Sequence, residues 1–254
     1  MPIRVLFGLL VLGAALMPSP GRAADVTSTH EARWWVGYMS NWMWEPRWSV
    51  WFDAHYDHGR FAVLRTGISH HLPSGPTATV GYGHLFLNPG DGTLSRQEYR
   101  PWGQVSFPWR LGERWAFSQR VRSDFRFREP VADGQVTDGP LLFTWRMRFA
   151  TSLVRTLVRF RRGSVFVQVY NEVLVDFGPD APLNRLNQNR IAALVGLRLQ
   201  DRRFRVGYMD RYLPSGDGTT PRHEHTLLVW FNQTVRLGKA RRAGKRTRNR
   251  APRT

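Results

Sequence analysis

Trp115-Ala-Phe-Ser-Gln-Arg-Val-Arg-Ser-Asp-Phe-Arg-Phe-Arg128 separates into two unlike sets when alternate residues are taken together. The odd positions are Trp115, Phe117, Gln119, Val121, Ser123, Phe125 and Phe127. The even positions are Ala116, Ser118, Arg120, Arg122, Asp124, Arg126 and Arg128. Successive side chains of a β-strand point to opposite faces, so this period predicts a strand with an apolar face and an arginine-rich face. A lipid-facing arginine costs about 2–4 kcal/mol near a bilayer midplane and ~0–1 at its edges. Arg120, Arg122, Arg126 and Arg128 together would cost on the order of ten, as much as the whole stability of a typical protein. If the strand crosses a membrane, the arginines face inward.

The same alternation recurs on both sides of this stretch. Val165, Val167, Val169, Val173 and Val175 oppose Phe166, Gln168, Tyr170, Glu172 and Asp176; Ile191, Ala193, Val195, Leu197 and Leu199 oppose Arg190, Ala192, Leu194, Gly196 and Arg198. Trp145, Met147, Phe149 and Leu153 oppose Arg146 and Arg148. Strands are expected near 34–43, 47–57, 60–71, 77–88, 96–109, 114–128, 141–153, 164–176, 189–200, 203–213 and 223–236, long enough for a tilted membrane crossing of about 9–11 residues. Trp34, Trp35, Trp42, Trp44, Trp48, Trp51, Trp102, Trp109 and Trp115 gather toward strand ends, as interfacial girdles do. Tight turns at 73–76, 109–114, 161–164 and 200–203 alternate with long Gly/Pro/Asp-rich segments at 88–95, 129–140, 177–188 and 214–222, the pattern of periplasmic turns and external loops. The expected fold is all-β: a single antiparallel transmembrane β-barrel of 25–237. Eleven segments would leave the N-terminus outside, whereas bacterial barrels are even-numbered. The expectation is therefore about twelve strands, with ten as the alternative and an extra strand sought in 26–44 or 141–160.

Composition sets the compartment. Arg4, the apolar run Val5 to Met17 and the small, helix-breaking residues up to Ala24 have the layout of a secretory signal peptide over 1–24. No later apolar run is long enough for a membrane helix, which needs about 20 residues. There is no cysteine, so no disulfide or thiolate metal site is available. The net charge of +18 looks like a nucleic-acid signature, but Arg4 and Arg22 supply two charges and the acid-free tail supplies eight, leaving +8 for the body. The basic tail, 238–254, reads as a disordered, self-repelling extension, and export argues against nucleic acid as a partner. The expected partners are outer-membrane lipid, the barrel-insertion machinery and small anionic solutes.

Glu98-Tyr-Arg100-Pro-Trp102, Arg120-Val-Arg122 with Arg126, Arg146-Met-Arg148, Tyr170-Asn171-Glu172, Gln188-Asn189-Arg190 and Gly207-Tyr208 follow one another over nearly all of 34–236. In order and spacing this series resembles the DUF2490 family of outer-membrane β-barrels of unknown function. The resemblance implies the barrel and the cell outer membrane, and it carries no reaction, cofactor or ligand. One departure is the C-terminus: many such barrels end on an aromatic residue, whereas here Trp230-Phe231 leads through Leu237 into the basic tail.

The expected lumen gathers Glu98, Arg100, Arg120, Arg122, Asp124, Arg126, Arg146, Arg148, Glu172 and Arg190. Guanidinium forks match carboxylate and phosphate, so the set can form an anion path or an anion site. Equally, arginines and acids can pair to fill a narrow barrel. Asn171 falls on the valine face, which suits a bulge or a membrane interface. His55 and His58 lie near Asp53 and Asp57, and His223 shares a strand face with His225, but no anchoring metal motif accompanies either group. Ser69 and His70 are adjacent and so point apart, while Ser106 and Ser118 face inward without an assignable histidine. No catalytic residue and no cofactor is called for. Three classes remain: a non-enzymatic barrel, structural or a narrow channel; an outer-membrane lipid or lipopolysaccharide hydrolase, which needs a Ser–His contact at the lipid-facing rim; and a soluble periplasmic β carrier with the valines inside.

Overall fold

The computed structural model describes residues 29–182, 185–214 and 220–237; the expected signal peptide and basic tail lie outside them. Eleven long strands form the barrel: β1 (Thr29–Glu45), β2 (Trp48–Asp57), β3 (Phe61–His71), β4 (Thr77–Leu87), β5 (Arg96–Leu111), β6 (Trp115–Arg128), β9 (Leu142–Phe160), β10 (Gly163–Phe177), β11 (Leu186–Leu199), β12 (Arg202–Leu213) and β13 (Arg222–Arg236). Two short strands, β7 (Val131–Ala132) and β8 (Gln135–Val136), pair as a hairpin within the loop between β6 and β9. No helix occurs among the described residues.

The sheet closes in the order β1-β13-β12-β11-β10-β9-β6-β5-β4-β3-β2. Neighbours in sequence pair antiparallel, as short connections require. The closing pair is different: β1 and β13 run parallel, Thr29 opposite Arg222 through Met43 opposite Arg236. The count of eleven agrees with about twelve, and it meets the parity problem without a hidden strand. Both candidate segments are single strands, 26–44 beginning at Thr29 and 141–160 running to Phe160. Odd counts have precedent among membrane barrels. As a result β1 starts at the rim that carries the long loops, while β13 ends at the rim of tight turns.

β9 runs on to Phe160 rather than 153 because it crosses an irregularity. Val165 pairs Val158 but Phe166 pairs Thr156, which leaves Leu157 bulged and lets the alternation resume in register.

The two faces are chemically opposite. Val80, Val195, Val169, Leu64 and Ile68 stand on the outside, all more than half exposed. Glu98, Arg122, Asp124, Glu172, Arg211 and Glu224 stand inside and are buried. An apolar cluster of Trp35, Ala192, Leu194, Met209 and Leu228 fills one part of the inner wall. On another, Gly67 and Gly81 are directly paired, and a Cβ on Gly81 would lie 2.8 Å from the Trp102 ring. The absent side chains leave the space that this indole occupies. Arg122 then stacks over Trp102, 4.2 Å from the ring centroid.

Candidate functional site

The inner face of β6 shows how sequence alternation becomes a charge network. Arg122 and Arg148 are directly opposite on β6 and β9, a like-charge pairing that is destabilising by itself. Asp124, one inward position along β6, reaches both: Arg122 Nε donates to Oδ1 at 2.6 Å and Arg148 Nη1 lies 3.5 Å from Oδ2. Arg100 approaches the same oxygen from β5 at 4.0 Å.

Glu172 on β10 is the second hub. Arg148 donates to it at 2.8 Å, Arg190 at 3.1 Å and Arg120 at 2.7 Å. Arg120 belongs to β6, two strands away. It can reach because the residue between them on β9 is Ala150, which is opposite Arg120 and also opposite Glu172. Glu98 on β5 accepts from Arg100 and, at 2.8 Å, from Arg126. Arg126 lies 3.4 Å from Asp176, to which Arg146 donates at 2.6 Å.

All ten residues expected in the lumen therefore stand inside the barrel in one continuous network. Asp176 joins Arg146 to the rest; it shares the inward parity of Glu172, and that parity was the signal that pointed to it. The network sets four carboxylates (Glu98, Asp124, Glu172, Asp176) against seven guanidiniums (Arg100, Arg120, Arg122, Arg126, Arg146, Arg148, Arg190), so it is net positive.

A second cluster, not singled out from the sequence, lies inside the parallel seam. Glu224 on β13 accepts from Arg211 (2.9 Å), Arg222 (3.0 Å) and Arg60, with Arg33 of β1 at 3.8 Å, and Arg211 also holds Asp57 of β2 at 2.7 Å. Its signal was parity again, since Glu224 alternates with His223 and His225. Arg60, in the turn between β2 and β3, has its basicity lowered to about 10 by burial.

One internal cavity of about 860 Å³ is lined from both rims, by Arg60 and Asn88 at the long-loop end and by Asp201 and Arg236 at the other. Network members Arg100, Arg120, Arg122, Arg126, Arg146, Arg148, Glu172 and Arg190 line it midway. Arg203 and Arg205 line its tight-turn half.

The remaining candidates fall elsewhere. Asn171 points outward and donates to Asn189 Oδ1 at 2.7 Å and to the Arg190 carbonyl at 3.2 Å, so its amide is satisfied on the outer face without a bulge at that residue. His223 and His225 also face outward, beside Asp210 at 3.1 and 3.8 Å, whereas His55 is buried inside, accepting from Trp35 Nε1 at 3.2 Å. Among the described residues no group of three or more His, Asp or Glu is arranged to hold a metal ion. Ser69 hydrogen-bonds Thr79 inside while His70 stacks on Trp48 at 4.4 Å, so the adjacent pair does point apart. A Ser–His hydrogen bond does occur, Ser49 to His71 at 2.9 Å, but Ser49 is fully buried on the inner face. Ser106 and Ser118 line the cavity.

A family model described as a protein of unknown function, DUF2490, matches residues 32–222. No curated protein matches the chain.

Proposed function

The chain belongs to the DUF2490 family of proteins of unknown function, and on that footing we propose that it is an exported, non-enzymatic barrel of the cell outer membrane that admits small anions through a narrow, arginine-lined lumen. The observation that carries this reading is a cavity lined from rim to rim, with guanidiniums in excess of carboxylates at its waist. The outer face supports the membrane setting. A belt of half-exposed Val, Leu and Ile side chains is what lipid tails contact, and it is the reverse of a soluble carrier, which would hold Val165, Val167 and Val169 inside. In this setting the long loops face the exterior and the tight turns the periplasm, with outer-membrane lipid and the insertion machinery as partners. The hydrolase reading needs a serine at the lipid-facing rim, and Ser49 is on the opposite face.

A second reading, a filled structural barrel, is favoured by the burial of the waist: Arg122 is 2% exposed and Glu98 and Asp124 are at 0%. Planar-bilayer conductance of the refolded protein across a KCl gradient separates the two. The passage predicts discrete openings with a reversal potential favouring chloride, and a smaller preference in Arg120→Ser. A folded barrel that gives no openings would assign the charges to packing alone.

A further inference from the structure

Below the waist, toward the tight-turn rim, the lumen holds guanidiniums that no carboxylate among the described residues answers. Arg205 donates through Nη1 to Gln168 Oε1 at 3.2 Å and through Nη2 to Asn232 Oδ1 at 2.6 Å, and its Cζ lies 4.9 Å from the Trp230 ring centroid. Gln168 is itself held by its donation to Ser152 at 2.7 Å. These partners fix the fork but are neutral, so they satisfy N–H groups and leave the charge uncompensated. Arg205 Nε is buried and donates to no described residue. Arg203, the next inward residue on β12, makes no side-chain hydrogen bond or ion pair with a described residue and lines the same cavity. The nearby carboxylates are engaged elsewhere, Asp201 by Arg236 and Asp53 by Arg65. An uncompensated buried charge is strongly unfavourable, so an arrangement that fixes one in place, at the wall of a cavity, is suited to an anion.

We propose that Arg203 and Arg205 form a binding site for a phosphate group, inorganic or phosphomonoester, at the tight-turn mouth of the lumen. The proposal rests on the anion-accepting lumen argued above and names its ligand. Alternate residues on one strand face start roughly 7 Å apart, so two long side chains converge readily on one tetrahedral group. A phosphomonoester carries about −1.5 to −2 charges near neutral pH, matching two guanidiniums, whereas a carboxylate matches one. Guanidinium forks also bind phosphate oxygens in pairs. With Arg205 already held by Gln168, Asn232 and Trp230, little side-chain freedom remains to be lost on binding.

The test is calorimetric titration of the detergent-refolded protein with inorganic phosphate, and separately with glycerol phosphate, in constant excess chloride. Saturable binding is expected, weaker by on the order of tenfold to a hundredfold in Arg205→Gln, as loss of hydrogen bonds to a charged group implies. Arg203→Gln, at the exposed rim where folding is not at stake, is expected to weaken it as well. Arg47→Gln removes an equal charge from the exposed turn between β1 and β2, at the same rim but outside the cavity, and is expected to bind as the parent does. Tighter binding of the ester places its organic part in the cavity; binding of the free ion alone limits the site to inorganic phosphate. Absence of saturable binding, or equal weakening by Arg47→Gln, would overturn the proposal. Conductance of the same preparation keeps the two readings apart: openings without phosphate binding sink the site, and phosphate binding without openings sinks the passage.

Discussion

Glu172 accepts from three arginines on three different strands, so its charge is shared by more of the barrel wall than any cross-strand pair. Removing one partner of a buried pair leaves an uncompensated charge and typically costs about 3–5 kcal/mol. Glu172→Gln keeps the shape and some acceptor capacity but leaves Arg120 and Arg190 with no carboxylate of a described residue within 4 Å. Denaturant unfolding of the refolded barrel should show a loss in that range, and a loss below about 1 kcal/mol would mean that the pairs contribute little there. The reach of Arg120 depends on Ala150 between the two strands. Alternation told that Arg120 and Glu172 both point inward, but the bridge over Ala150 depends on strand register, which composition does not encode. The same holds for Asp176: its side was legible, and its place as the link to Arg146 was not.

At the scale of elements, the strand pair that needs most support is the parallel one, because no turn ties β1 to β13. Glu224 answers that need by collecting Arg33 from β1, Arg60 from the β2–β3 turn and Arg211 from β12. Glu224→Ala is expected to loosen this seam selectively. Amide hydrogen exchange should rise in β1 and β13 while β9 and β10 stay protected, and a uniform rise around the barrel would refute a local role. Strand positions were legible because period two persists for ten or more residues in each. The far end of β9 was not, because the bulge at Leu157 breaks the alternation there. The seam was not legible either: parity counting led to an N-terminal strand entering from the loop side, and the even-number rule then sought an extra strand in 26–44 or 141–160, where the described residues of each form one strand. Glu224 and Arg211 went unnoticed because the last two strands carry mixed polar residues on both faces, with Asp210, His223 and His225 outside.

For the whole molecule, the proposed setting makes the two rims face different compartments. The chain has no cysteine of its own, so single cysteines report sidedness without background. Asp91→Cys, in the long loop between β4 and β5, should react with a membrane-impermeant maleimide on intact cells. Glu113→Cys, in the tight turn between β5 and β6, should react only after the outer membrane is opened; the reverse pattern would invert the orientation. The parallel seam has a further effect on how this chain could be rewired. In a barrel built of hairpins throughout, the first and last strands end at one rim, so a short linker can join them and new ends can be cut in any turn. Here β1 begins at one rim and β13 ends at the other. A linker between them would have to thread the lumen or run down the outer wall, so this barrel has no simple circular permutant. Evolution by duplication or loss of whole hairpins would likewise keep its strand number odd, and only the gain or loss of a single strand could bring both ends to the same side.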